Sequence, residues 1–202
     1  MEKEIKISKK QFFKEMLIYF LTCCMFFNTS LPVSFATPLD PVQVGGTAVG
    51  GITVGNTTTV DMGGSGRAVI NWGGLDTSSS QVLQFIKAGG GDFAVLNRVT
   101  SGSATHFDGS LFGNQGTILI VNPHGLVFGP TAFIQARNFV ASGLNIQDTD
   151  FMNSLHNFAG GNGLVANYGN ISADKVALIG KQVFNAGTIQ SPGGFVIMAA
   201  GD

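Results

Sequence analysis

Two stretches of the chain, VANYGNI at 165–171 and VFNAGTI at 183–189, align with an offset of 18 residues. Each is followed by an apolar run that closes on glycine, 176–180 in the first case and 195–201 in the second. A third N-x-G-x-I element, Asn114 to Ile118, begins 53 residues before Asn167, close to three further periods. A period of this length suits one turn of a parallel β-helix, in which short strands of successive turns stack ~4.8 Å apart. In such a coil Val165, Ile171, Val183 and Ile189 point inward as aliphatic ladders. Asn114, Asn167 and Asn185 are the candidates for an amide ladder along a corner. Gly116, Gly169 and Gly187 supply the positive φ expected of a sharp bend. About eight turns would fit between Gly45 and Asp202 at this period.

The rest of the pattern is all-β. Short β-branched or aliphatic runs stop at Gly or Asn at 57–60, 67–70, 81–86, 117–121, 176–179 and 195–198. No window after the first thirty-six residues carries a sustained helical stripe. All 29 glycines fall after those residues, a density that implies many tight turns. The repeat favours a stacked coil and leaves a β-sandwich open. A coil exposes sheet edges at both ends and needs atypical terminal units as caps. Residues 37 to about 54 do not fit the repeat and form the expected N-terminal cap. The sequence stops at Asp202 directly after a complete repeat, so the expectation is a truncated chain or the start of a longer one.

The first thirty-six residues read as a signal peptide. Lys3, Lys6, Lys9, Lys10 and Lys14 precede an apolar run at 16–27, and Ser34 and Ala36 place small residues at −3 and −1 of a cleavage site. Twelve apolar residues fall short of the ~20 that span a bilayer as a helix. Cys23 and Cys24, the only cysteines, lie in this leader in poor lipobox contexts. The exported chain, 37–202, therefore has no disulfide to stabilise it, and none to lock it if it must cross a second membrane unfolded. It carries six Lys and Arg against nine Asp and no Glu, a net of −3 with no basic stripe for nucleic acid.

Several blocks then resemble one family. RAVINW at 67–72, LNRV at 96–99 and GTILIVNPHGLVFG at 116–129 are similar to the blocks of the filamentous haemagglutinin N-terminal domain, the TpsA-type domain of two-partner secretion. The tandem N-x-G-x-I units ending in Ala-Ala-Gly-Asp resemble its closing coils, and the blocks occur in the family's order across nearly all of 43–202. One position departs from it: His124 stands where the family's NPNG block has a second Asn. Asn enters the left-handed region more readily than His, so strain at that turn is expected.

The resemblance implies a right-handed parallel β-helix with an N-terminal cap. It implies Sec-dependent export with removal of the leader by signal peptidase, in a diderm bacterium. The periplasmic POTRA domains of an outer-membrane β-barrel transporter would then recognise the domain, which seeds folding of an adhesin at the cell surface. Recognition by β-augmentation would suit an unfolded or edge strand. The candidate recognition residues are Asn122, Pro123, His124 and Gly125, then Asn97 and Arg98. The competing expectation is that they shape the fold, because Asn-Pro starts turns and Asn97 can satisfy corner backbone groups.

Catalysis, cofactors and metals find little support. Asp148 and Asp150 are the only close acidic pair, expected in a polar loop rather than at the paired-carboxylate site of a polysaccharide-degrading β-helix. There is no G-x-S-x-G elbow, and the glycines at 161–163 match a dinucleotide pattern only as text. His106, His124 and His156 lack metal-ligand spacing, although the 18-residue step between the first two could stack them on adjacent coils. A stand-alone adhesin is the other alternative. Its aromatic supply is thin: Tyr168, scattered phenylalanines and Trp72, which is expected in the core.

Overall fold

The computed structural model describes residues 41–46 and 50–201, which belong to one compact unit spanning 35–202. The expected leader, 1–36, and the first residues of the expected cap, 37–40, lie outside the described residues. The chain winds into a three-sided parallel β-helix. Sheet 1 stacks β3 (Thr57–Asp61), β5 (Val82–Ile86), the first part of β8 (Ser110–Val121), the first part of β10 (Phe133–Ser142), β14 (Asn170–Ser172) and β17 (Thr188–Gln190). Sheet 2 stacks β4 (Arg67–Trp72), β6 (Phe93–Val99), the second parts of β8 and β10, β15 (Lys175–Gly180) and β18 (Phe195–Ala200). Sheet 3 stacks β7 (Thr105–Phe107), β9 (Leu126–Phe128), β13 (Leu164–Asn167) and β16 (Gln182–Asn185). The strands β8 and β10 run through the corner between sheets 1 and 2, with a register shift between Ala136 and Asn138 marking the bend.

The N-terminal cap is built from antiparallel strands. The first, β1 (Pro41–Gly46), pairs with β4, and β2 (Gly50–Val54) pairs with β3. They close the first edges of sheets 2 and 1, which would otherwise be open to other chains.

The number of coils differs from the count based on the repeat. Sheets 1 and 2 hold six rungs each, about 24 Å from first to last at the usual strand spacing. Stacked inward residues Leu83, Leu111, Ile134, Ile171 and Ile189 are separated by 28, 23, 37 and 18 residues. Only the last coil keeps the 18-residue period. The others carry longer corners, and one carries an excursion.

Inside the coil, alternate side chains stack in columns. Ala68, Ile70, Trp72, Val95, Ile118, Ile120, Phe139, Val176 and Leu178 line sheet 2, while the Phe128 ring packs tilted against Phe107 at 6.0 Å and T-shaped against Phe139 at 5.7 Å. Each fully buried aliphatic or aromatic side chain stabilises the fold by about 1.5–3 kcal/mol, so the columns can replace the missing disulfides.

Sheet 2 is also apolar on its outer side. Val69, Ala94, Leu96, Leu119 and Val121 point outward and are buried under an excursion between β10 and β13. That excursion holds β11 (Asn145–Ile146), the short helix α1 (Asp148–Met152) and β12 (Phe158–Ala159), with β11 and β12 antiparallel. Phe151 of α1 is fully buried against the sheet. The helix is five residues long and is held by tertiary contact, which is why no helical stripe announces it. Asp148 and Asp150 stand in this helix, not in a loop.

Candidate recognition site

The turn at 122–125 joins sheet 2 to sheet 3 and forms the middle layer of a stacked corner. The Gly125 N–H donates to the Asn122 carbonyl at 2.9 Å, and the His124 N–H donates to Asn122 Oδ1 at 2.9 Å. Below the turn, Asn122 Nδ2 donates to the Ser103 carbonyl at 2.9 Å and to Thr105 Oγ1 at 3.0 Å. Above it, the Asn162 N–H donates to the Pro123 carbonyl at 3.2 Å, and Gly163 packs so closely that a Cβ there would stand 2.6 Å from the Gly125 nitrogen.

The turn therefore separates the predicted residues. Asn122 and Gly125 are buried, Pro123 is half-buried and His124 alone is exposed. The strain expected at His124 is absent. Its φ is not positive, because Gly125 takes the positive angle, 120°, on its behalf. Any of many residues fits at the third position.

Asn97 lies inside the coil and is fully buried. Its Oδ1 accepts from Trp72 Nε1 at 3.0 Å, and its Nδ2 donates to the Leu119 carbonyl at 3.0 Å. It satisfies the indole of the rung below and the backbone of the rung above, so in the folded domain it meets no partner. Arg98 points the other way and holds the excursion. It donates to the Ile146 carbonyl at 2.5 Å and to Asn145 Oδ1 at 3.3 Å, and pairs with Asp148 at 2.5 Å. Asp150 accepts from Asn157 at 3.2 Å, so the two carboxylates serve separate partners rather than one reacting group.

Arg67 is a second clamp that sequence reasoning missed. Its Nε and Nη2 donate to the Phe151 carbonyl at 3.0 and 2.6 Å, and its guanidinium lies 4.4 Å from the centre of the Phe151 ring. Partial burial pulls the Arg67 pKa below its ordinary value without discharging it. The available signal was in β4, β6 and β8. Their runs are apolar at consecutive positions, and a strand apolar on both faces must be covered on both. Arg98→Ala should release the excursion while the coil stays folded. Amide exchange over residues 145–159 is expected to accelerate at least tenfold with little change elsewhere. Uniform acceleration across the domain would show that the clamp instead supports the coil.

Asn167 and Asn185 form an amide pair, Nδ2 to Oδ1 at 2.8 Å, in register on β13 and β16. Asn114 does not join them. It is exposed at the corner between sheets 1 and 2, whereas Asn167 leads from sheet 3 to sheet 1, and the residue below Asn167 is Phe128. The third repeat is thus a chance likeness at a different corner, and its Gly116 is confined by the Phe93 ring rather than by a ladder. Gly169 and Gly187 do not have positive φ either. Glycine is needed there because a Cβ on Gly187 would collide with the Gly169 carbonyl and one on Gly169 with the Ala132 carbonyl. His106 pairs in register with Val127, so it does not stack on His124. Among the described residues no group of three His, Cys, Asp or Glu is placed to hold a metal ion.

The family model described as "TPS secretion domain" matches residues 40–202, from the cap through the last rung. The chain belongs to this family. The TPS domain is also similar in fold to a solved structure, the HMW1 secretion domain from Haemophilus influenzae. The identity is 27% and the TM-score 0.71, over 82% of this chain and 45% of that one. The TPS domain thus spans less than half of the length of that protein. No curated protein matches it. The right-handed parallel β-helix implied by the sequence blocks is the fold the TPS domain has.

Proposed function

We propose that the chain is the address label of an exported filamentous haemagglutinin-like adhesin. On this reading residues 1–36 direct Sec export and are removed by signal peptidase. The POTRA domains of an outer-membrane β-barrel transporter then recognise 37–202, and the coil seeds β-helix folding at the cell surface. The observation that carries the reading is the match to the TPS secretion domain along the whole rod. Its geometry is consistent with seeding, because antiparallel strands close the first edges of sheets 1 and 2 while each later rung pairs parallel to the one before it.

Export is the test. Residues 1–202 are produced with and without the cognate barrel, and the medium is assayed for the chain lacking its leader. Barrel-dependent release is expected, and retention in the periplasm in both cases would sink the proposal. The His124→Ala variant should keep its stability to within about 0.5 kcal/mol, since the side chain is exposed. Its export is expected within twofold of wild type, because the turn shapes the corner. A tenfold drop with the fold intact would instead make His124 a contact of the transporter.

A further inference from the structure

Asn162 is the one asparagine of the sequence that is followed by glycine. Asparagine is among the thermolabile residues, and a following glycine leaves the next backbone nitrogen unshielded and its dihedrals free. That nitrogen can attack the side-chain amide. The Gly163 nitrogen gives up its proton and bonds to Asn162 Cγ, the Cγ–Nδ2 bond breaks, and ammonia leaves. Water then opens the cyclic imide at either carbonyl. One opening yields aspartate. The other yields isoaspartate, whose main chain runs through Cβ and Cγ and is longer by an atom.

The folded corner opposes the attack. The Gly163 N–H, which must be free to react, donates to the Gly143 carbonyl at 3.1 Å at the base of the excursion. The Gly163 carbonyl accepts from the Lys181 N–H of the next coil at 3.0 Å, and the Asn162 N–H donates to the Pro123 carbonyl of the coil before at 3.2 Å. Both peptide groups that would have to turn are thus pinned, and reaction requires the corner to open first.

The corner also has no room for the longer product. A Cβ on Gly163 would stand 2.6 Å from the Gly125 nitrogen and 2.9 Å from the Asn122 carbonyl, and one on Gly180 would stand 2.7 Å from the Gly163 carbonyl. An extra main-chain atom at 162 must push Gly163 out of this stack or shift the register of β13, which turns its side chains to the other face. The Asn162 side chain itself is exposed, so aspartate in its place is accommodated.

We propose that Asn162 is a deamidation site gated by folding. It converts to aspartate and isoaspartate in chains held unfolded, is shielded in the coil, and in its isoaspartate form no longer rebuilds the corner. The inference goes beyond the address-label reading and stands on the chain's own chemistry. That reading adds a consequence: a chain that waits unfolded to cross a membrane is open to this damage, and a coil folded at the surface is not.

The test ages the chain lacking its leader at mildly alkaline pH, folded in buffer and unfolded in guanidinium. Peptide mapping by mass spectrometry follows residue 162 and separates aspartate from isoaspartate. Loss of the amide is expected at least tenfold faster in the unfolded chain, and equal rates would overturn the shielding. Chains aged unfolded are then returned to native conditions and challenged with protease. The resistant fraction is expected to retain the aspartate form and to be depleted at least tenfold in isoaspartate. Isoaspartate chains that refold as well as aspartate chains would overturn the argument from the packed corner. Asn162→Gln, whose longer side chain closes the ring far more slowly, is aged in parallel. Its refolding yield is expected within twofold of the same variant unaged, and a loss equal to that of wild type would place the damage elsewhere and overturn the assignment to Asn162.

Discussion

Asn122→Ala is expected to lower the unfolding free energy by about 2–4 kcal/mol, a large share of the stability of a domain this size. Three hydrogen bonds end on the buried side chain: two donated by Nδ2 to Ser103 and Thr105, and one accepted by Oδ1 from the His124 N–H. Alanine removes all three: the Ser103 carbonyl keeps only the Ser101 hydroxyl, at 3.2 Å, and the His124 N–H loses its acceptor at a corner packed against Gly163. Asn122→Asp should be no better. Its oxygen can still accept from His124, but a carboxylate then faces the Ser103 carbonyl in place of a donor. Urea unfolding of the three proteins measures this, and a loss below about 1 kcal/mol would mean that water satisfies the corner as well as the amide does. Export of both variants should fall with stability, in contrast to His124→Ala, whose side chain stands outside the stack.

Gly169→Ala is the second large effect. The added Cβ would collide with the Ala132 carbonyl, and lie 2.7 Å from the Gly129 carbonyl and 2.8 Å from the Ala132 Cβ. Most of this obstruction is backbone of the rung below, which cannot turn aside as a flexible side chain can. The two rungs must separate, which weakens the Asn167–Asn185 pair directly above. A cost of about 3 kcal/mol or more is expected. Gly55→Ala provides the contrast. Nothing lies within 4 Å of that Cβ, and the penalty there is the positive φ of 60°, about 1–2 kcal/mol. Thermal unfolding of the pair separates steric stacking from backbone conformation. Equal losses would show that Gly169 is retained for its dihedral freedom after all.

Much of the architecture was legible because its causes are local. The six apolar runs predicted from the sequence each coincide with a strand of the coil, Gln81 alone lying outside, since alternation and Gly or Asn stops act over a few residues. The pairing of Val165 with Val183 and Ile171 with Ile189 was visible because that last coil is too short to contain an insertion. The same reasoning failed for Asn114, where an identical five-residue pattern sits at a different corner. A short motif specifies a bend and its sterics, but not which of three corners it occupies. The recognition residues show the same limit. Asn97 and Arg98 are adjacent in the chain, yet one is sealed inside the coil and the other grips a segment some fifty residues away.

The sequence by itself determined that this protein is all-β with a first segment outside the repeat, and that disulfides do not hold it together after residue 36. Those properties follow from side-chain alternation, turn chemistry and composition, which neighbours along the chain settle. Only the tertiary structure decided the rung count, the lengths of the coils and the cover over sheet 2. It also decided the division of the 122–125 turn into buried Asn and exposed His. The physical reason is register. Which residue stacks on which depends on how much chain each corner consumes, and backbone hydrogen bonds between rungs are indifferent to the side chains they align.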